Sequence, residues 1–361
     1  MADRTTEFRP SPGGARWRGF LARHPWLGPL ARWGPAVASL ALGSATLFVF
    51  RRGLPHVAWL VGYLLLLWLV LIVVAALRTA LERRGQKLAL GVADYTVQTL
   101  CHGLLLFVLP AYYATATLDS PNVILLLALA VGAVVTAVDP MYRRLVAPYP
   151  WVGDALLGLS MFGALNVALP LVRVPPGTAL VASAAVAGAA LAPAFHRGGA
   201  SWPRAGARAA GLAVLAAVAV WYGRAAVPPV PLFLAHATMA RDVVALEPVD
   251  PIRGTIPAAT IRKWGGLAAY TAIHAPAGLR QGVEHVWRGR TVVARIPLAP
   301  VLGGRSEGFR TFSRRREWPP PLEGRYRVDV LTASGQLVGR LRFRVEGAGG
   351  DAAGAPAPGS G

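Results

Sequence analysis

The stretch VAWLVGYLLLLWLVLIVVAAL, residues 57–77, constrains this chain more than any other. It contains no charge, and a bilayer core of ~30 Å takes about 20 apolar residues as a helix. Such a segment has few stable settings outside a membrane. Six further stretches fit the same measure: Trp33–Phe50, Leu88–Leu109, Asn122–Val138, Val152–Val172, Pro176–Phe195 and Ala207–Tyr222. Together they predict about seven transmembrane helices over residues 33–223, behind a basic leader at 1–32. The composition agrees, with 54% hydrophobic and only 15% charged residues.

Loop charge sets the orientation, because arginine and lysine stay on the cytoplasmic side. The leader and the loops after the second, fourth and sixth spans hold fifteen basic residues; the opposite loops hold Arg51, Arg52 and Arg173. This predicts a cytoplasmic N-terminus and, after seven spans, an extracytoplasmic C-terminal region. The net charge of +20 therefore does not imply nucleic acid as a partner. Only Lys87 and Lys263 among the basic residues are lysine, and many arginines flank apolar runs as topology anchors. Within the leader, Trp17, Phe20, Trp26 and Trp33 alternate with arginine, a pattern that suits the headgroup layer. Membrane lipid is the one partner that this half of the chain implies.

Ionisable residues inside spans are costly and point to function or to pairing. On the third span Asp94, Gln98 and Cys101 share a helical face with His102 at its flank, and Asp154 lies in the fifth. One reading is a solute or proton path built on Asp94, Gln98, His102 and Asp154. The other is structural: Asp94, Asp139 and Asp154 lie toward the cytoplasmic helix ends, at the level of Arg84, Arg143 and Arg144. In the sixth span Ala184 and Gly188 form a small-xxx-small pair, which allows close helix approach. One cysteine rules out a disulfide framework and cysteine-based metal sites. No cofactor and no metal site is expected.

Beyond Tyr222 the pattern changes. Residues 224–267 read as a proline-stiffened exit linker, and 268–346 as a small all-β sandwich of immunoglobulin-like type. In RYRVDVLTASGQLVGRLRFRV, apolar Tyr326, Val328 and Val330 alternate with Arg325, Arg327 and Asp329. After the turn, Leu341, Phe343 and Val345 alternate with Arg340, Arg342 and Arg344, giving a hairpin with one arginine face. Strands are further predicted at Ala268–His274, Gly282–Trp287, Thr291–Leu298 and Gly308–Ser313, and residues 347–361 read as a low-complexity tail.

The stretch GGRSEGFRTFSRRR, residues 303–316, has the glycine spacing of a phosphate loop at Gly303 and Gly308. Phe309 and Arg310, however, occupy the positions of its lysine and hydroxyl. It reads instead as a glycine turn into a strand with Phe309 inward and Arg314, Arg315 and Arg316 on a solvated edge. No G-x-S-x-G or other nucleophile motif appears in the C-terminal region, so no enzyme activity is expected.

The order PPVPL, IHAPAGLRQGVEHVW, GGRSEGFRT, GRYRVDV and GQLVGRLRFRV resembles the bacterial family catalogued as domain of unknown function 2914. The resemblance covers about 110 C-terminal residues, and the helices look like the membrane region that accompanies that family. It implies that His285 and Trp287 share a strand, that Gly303, Gly304, Arg305, Gly308, Phe309 and Arg310 form the turn and next strand, and that Gly339 and Phe343 lie on the last. The family's tryptophan in the GxWRV segment is Tyr326 here. The expectation is an inner-membrane protein with a periplasmic β domain for binding in the cell envelope, its ligand an anion or a protein. The candidate residues are Arg305, Arg310, His285, Trp287, Arg325, Arg327, Arg340, Arg342 and Arg344. The alternative is a transporter or channel using the third span.

Overall fold

The computed structural model describes Val73 and residues 87–347, apart from 147, 253 and 290–292. The leader, the first two predicted spans and the tail from 348 lie outside the described residues. So do the side chains of Asp94 and Asp139.

Residues 87–222 are mostly helical, as their apolar runs predict, and Pro110 and Pro170 lie in the C-terminal turns of their helices without ending them earlier. α1 spans Lys87–Thr115, α2 Val123–Ala137, α3 Asp139–Val146 and α4 Pro150–Leu171. α5 spans Pro176–Ala189, α6 Ala192–Arg197 and α7 Trp202–Tyr222. Prolines at the first turns of α4, α5 and α7 cost nothing, since those N–H groups have no intrahelical partner. Four stretches are long and apolar enough to cross a membrane: Tyr95–Thr115, Pro150–Leu171, Pro176–Arg197 and Trp202–Tyr222. The span predicted at Asn122–Val138 is shorter than expected. Its 15 residues reach about 22 Å, and it qualifies only when joined across a sharp bend to the basic α3. The described residues thus hold four or five of the seven expected spans. Where Ala184 and Gly188 promised close packing, Gly188 meets the backbone of Ala213 in α7; a Cβ there would lie 2.8 Å from Ala213 Cα.

The second half is built from β-strands, and they start earlier than expected. Residues 233–264, read as linker, hold β1 (Phe233–Val244), β2 (Glu247–Ile252), β3 (Thr255–Pro257) and the short α8 (Ala258–Trp264). β4 is Leu267–His274, β5 Arg280–Gln281, β6 Val283–Arg288, β7 Val293–Pro297 and β8 Val301–Leu302. β9 (Phe309–Arg315), β10 (Gly324–Thr332) and β11 (Leu337–Glu346) complete the chain. One sheet runs β2-β1-β4-β9 and the other β3-β11-β10-β6-β7, with β5 and β8 as a separate pair. β3 lies parallel to β11; every other pairing is antiparallel.

The sheets share one core, in which Met239, Leu267 and Ile273 of the first meet Trp287, Val328, Leu341 and Phe343 of the second. Two glycines of the 303–308 turn are sterically required. A Cβ on Gly303 would collide with the Pro276 carbonyl, and Gly308 has φ 87°, a value that L side chains rarely adopt. These glycines fold the turn.

The tip of the β10–β11 hairpin is seated among helix ends. Asn122, at the start of α2, donates from Nδ2 to the Leu337 carbonyl at 3.3 Å. Gln336, fully buried, donates from Nε2 to the Val227 carbonyl at 3.3 Å. Ser334 Cβ lies 2.8 Å from where a Cβ on Gly177, in α5, would stand. α4 ends in a Schellman turn, with N–H groups of Val174 and Arg173 bonded to the carbonyls of Leu169 and Pro170. Its left-handed position, usually glycine, is Arg173 at φ 72°. The strain brings that guanidinium against Gly278 of the β region. The helices therefore alternate in direction, with loops 116–122, 172–175 and 223–230 all at the end that meets the sheets.

Candidate functional site

The arginine face forms as the alternation predicts. Arg325 pairs with Arg344 across the ladder, Arg327 with Arg342 and Asp329 with Arg340. With residues of one phase inward, these six point away from the core. β6 and β7 add Arg288 and Arg295 to the same face, since Arg288 lies beside Arg327 and Arg295 opposite Val286. Neither was anticipated from the sequence.

Asp329 organises this face. Its side chain is only 5% exposed, and a buried carboxylate is tolerable only when paired and hydrogen-bonded. Arg340 donates from Nε to Asp329 Oδ1 at 2.5 Å, and Arg288 from Nε to Oδ2 at 3.0 Å. Arg327 Nε stands 3.6 Å from Oδ2. Arg340 continues the network to the helices, donating from Nη1 to the Asp119 carbonyl at 3.2 Å, and Arg342 forms an ion pair with the Asp119 carboxylate. Asp119 lies between α1 and α2, in a loop whose Thr117 N–H is held at 2.9 Å by Asn122 Oδ1.

Charge compensation fades along the strands. Arg344 lies 3.9 Å from Glu346 Oε1, and Arg325 has no ion pair among the described residues. Both line a depression of about 540 Å³ with Glu323, Glu346 and Gly289. Arg344 lies seven positions, about 20 Å along the strand, from Leu337 at the hairpin tip, and two positions, about 7 Å, beyond Arg342, the outermost residue paired to a helix loop.

The other candidates lie elsewhere. His285 and Trp287 are on the inner phase of β6, 0% and 1% exposed, so they do not join the arginine face. His285 joins the sheets instead, with Nε2 3.1 Å from Thr271 Oγ1 and Nδ1 2.8 Å from Ser313 Oγ. Trp287 donates to the same Ser313 hydroxyl at 2.9 Å. Burial pushes the His285 imidazole down to about 4, so the neutral ring, one nitrogen donating and one accepting, is the folded form. Arg305 stacks its guanidinium 5.0 Å over Phe309. Arg310 is in the first sheet, paired with Glu247 and Glu307. Phe309 packs against the core as expected.

The arginine run needs one correction. Arg314 pairs with Asp242 at 3.0 Å and Arg316 is exposed, but Arg315 is only 6% exposed. Register places it beside Leu267, in phase with Ser313 and Thr311, so it points into the core side of β9.

In the helices the polar stripe is taken up mainly by α2. Gln98 donates to the Thr136 carbonyl at 3.0 Å. His102 Nδ1 lies 3.2 Å from both the Ala133 carbonyl and Thr136 Oγ1, while its buried Nε2 has no partner among the described residues. Asp154 pairs with Arg197 at 2.6 Å and not with Arg143 or Arg144; Arg84 lies outside the described residues. No group of three or more histidine, cysteine or acidic residues that could hold a metal occurs among the described residues.

Residues 15–268 match the model of a family of unknown function, DUF5924, and residues 280–345 match a protein family of unknown function, DUF2914. The second match is the one that the C-terminal motifs suggested. The boundary between the two matches runs through the β region: β1, β2 and β3 fall in the first, β9 to β11 in the second. No curated protein and no solved structure matches this chain.

Proposed function

We propose, for a chain that belongs to the DUF5924 family of unknown function, a non-catalytic role: it anchors in the bacterial inner membrane and holds a periplasmic β domain that binds an acidic polymer of the envelope. One observation carries the reading. The arginines nearest the helices are neutralised by Asp329 and Asp119, whereas two positions further along the strands, about 7 Å out, Arg325 has no ion pair among the described residues and Arg344 only Glu346 at 3.9 Å, beside an open depression that Glu323 also lines. That placement favours an extended polyanion over headgroups of the protein's own bilayer, because the bilayer surface meets the end already paired. The orientation is supported by loop charge: Arg143, Arg144, Arg197, Arg204 and Arg208 flank the helix ends opposite the β region.

The test uses full-length protein in zwitterionic nanodiscs, with alginate as the carboxylate polymer. Binding is expected to weaken as salt rises, and to weaken at least tenfold in an Arg325→Glu, Arg344→Glu double variant, with Arg342→Glu nearly silent. Equal binding by wild type and double variant overturns the reading. Solute passage through the helices is the competing reading, and the buried His102 Nε2, without a partner among the described residues, favours it. It predicts that His102→Ala alters flux in proteoliposomes at constant protein level; unaltered flux removes it.

A further inference from the structure

Arg315 is a guanidinium inside the fold without an acid. The residue is 6% exposed, and no carboxylate lies within ion-pairing distance among the described residues. Its Nε donates to the Glu317 carbonyl at 2.9 Å, and its plane lies 4.7 Å over the Trp318 ring. Nη1 is buried with no hydrogen-bond partner among the described residues.

The rest of the molecule sharpens the anomaly. Arg340, comparably buried, has Asp329 and Asp119. Arginine cannot shed its proton in a protein, so burial cannot be relieved by neutralisation. Burial does hold Arg315 below the ordinary guanidinium value, which is the signature of a charge short of a counter-charge. Stacking on Trp318 offsets part of that cost, but an aromatic face leaves the in-plane N–H groups of Nη1 without an acceptor.

The surroundings form a cradle. Trp318 is half-buried and is fixed by its own Nε1, which donates to the Arg315 carbonyl at 3.1 Å. It packs edge-on against Trp287 and Tyr326, at centroid separations of 6.0 and 5.2 Å. The flanking residues Arg316, Glu317 and Pro319 to Pro321 are exposed, so access to the guanidinium is from their side. A rigid aromatic floor under a guanidinium with free in-plane donors matches a planar or tetrahedral oxyanion, bound through two parallel N–H···O contacts.

We propose that Arg315, seated on Trp318, is a binding site for a single carboxylate or phosphate group, free or at the end of a larger ligand. It is separate from the Arg325–Arg344 face, which takes an extended polymer by screened charge.

The experiment is thermal unfolding of the full chain in detergent, in chloride, acetate or phosphate at matched ionic strength, followed by titration of the effective anion. Wild type is expected to gain at least 3 °C in acetate or phosphate over chloride, and the Arg325→Glu, Arg344→Glu variant to keep that gain. Acetate alone, phosphate alone, or both then identify the group. Arg315→Met is expected to lose the gain while unfolding in chloride no earlier than wild type. Arg315→Lys, which keeps the charge but not the fork, is expected to bind at least tenfold more weakly and provides the test should the methionine variant not fold. No gain over chloride, an equal gain in Arg315→Met, or undiminished affinity in Arg315→Lys overturns the proposal.

Discussion

The two ends of the β region hold similar residues to opposite effect. At the end docked on the helices, Arg340 and Arg342 meet Asp119, and Arg340 also meets Asp329; Asn122 and Gln336 bond backbone carbonyls across the junction. At the far end, among the described residues, Arg325 has no ion pair, Arg344 has a distant one, and Arg315 is buried without any. A charge matched inside the molecule fixes geometry, whereas one left unmatched is available to something else. Arginine content alone would have made the two ends equivalent.

The strongest way to break this contrast is Asp329→Asn. Removing one partner from a buried ionic network strands the other charges, typically at 3–5 kcal/mol. Arg340, whose side chain is 9% exposed, is stranded most, and Arg288 at 33% less. A loss of about 3 kcal/mol is expected in denaturant unfolding of the full chain, with Arg325→Glu within about 0.5 kcal/mol of wild type. Equal effects at both sites would dissolve the distinction between the ends.

Of similar size is an acid effect from between them. The unfolded His285 imidazole titrates near 6.5, while burial holds the folded one at about 4. The unfolded chain therefore binds a proton first as pH falls. The associated stability is fully present above pH 6.5, is lost progressively between 6.5 and 4, and changes no further below 4. Across the window the loss is about 3 kcal/mol. Unfolding midpoints of wild type and His285→Gln, measured from pH 8 to pH 4, check it: the wild type should fall more steeply by that amount. Parallel curves would mean that the ring is solvated or already charged in the fold.

How much of this was legible depended on whether the information was local. The β10–β11 ladder was, because period-two alternation fixes the face of every residue once one side is buried; Arg325, Arg327 and Arg340 to Arg344 lie where that rule puts them. The inward turn of Arg315 was written in the same code, in phase with Thr311 and Ser313, but three consecutive arginines read as a solvated run. β4 was legible as a strand at Ala268–His274, but β2 is interrupted by Pro248 and Pro251. Residues 224–267 therefore looked like a linker. Nothing local could pair Asp119 with Arg340, 221 positions away, or Asp154 with Arg197; helix packing decides such partners. The helices show the same limit in reverse, since hydropathy located α1, α2 and α4 but neither α3 nor the bend after Ala137.

The smallest effect is expected where the two halves meet. Asp119 is 36% exposed, so water screens its pairs with Arg340 and Arg342, and such pairs contribute about 1 kcal/mol or less. In Asp119→Asn, Arg340 keeps Asp329 and the sheet stays intact. What loosens is the seat of the hairpin tip, which is held further by Asn122, Gln336 and the bond from Arg340 to the backbone carbonyl at position 119. Global unfolding should therefore shift by less than about 1 kcal/mol, while amide hydrogen exchange at residues 333–337 accelerates several-fold and that at 341–345 does not. Uniform exchange in the variant would show that the Asp119 pairs do not fix the tip. A large global loss would show instead that helices and sheets unfold as one unit, with the docked end as its weakest seam.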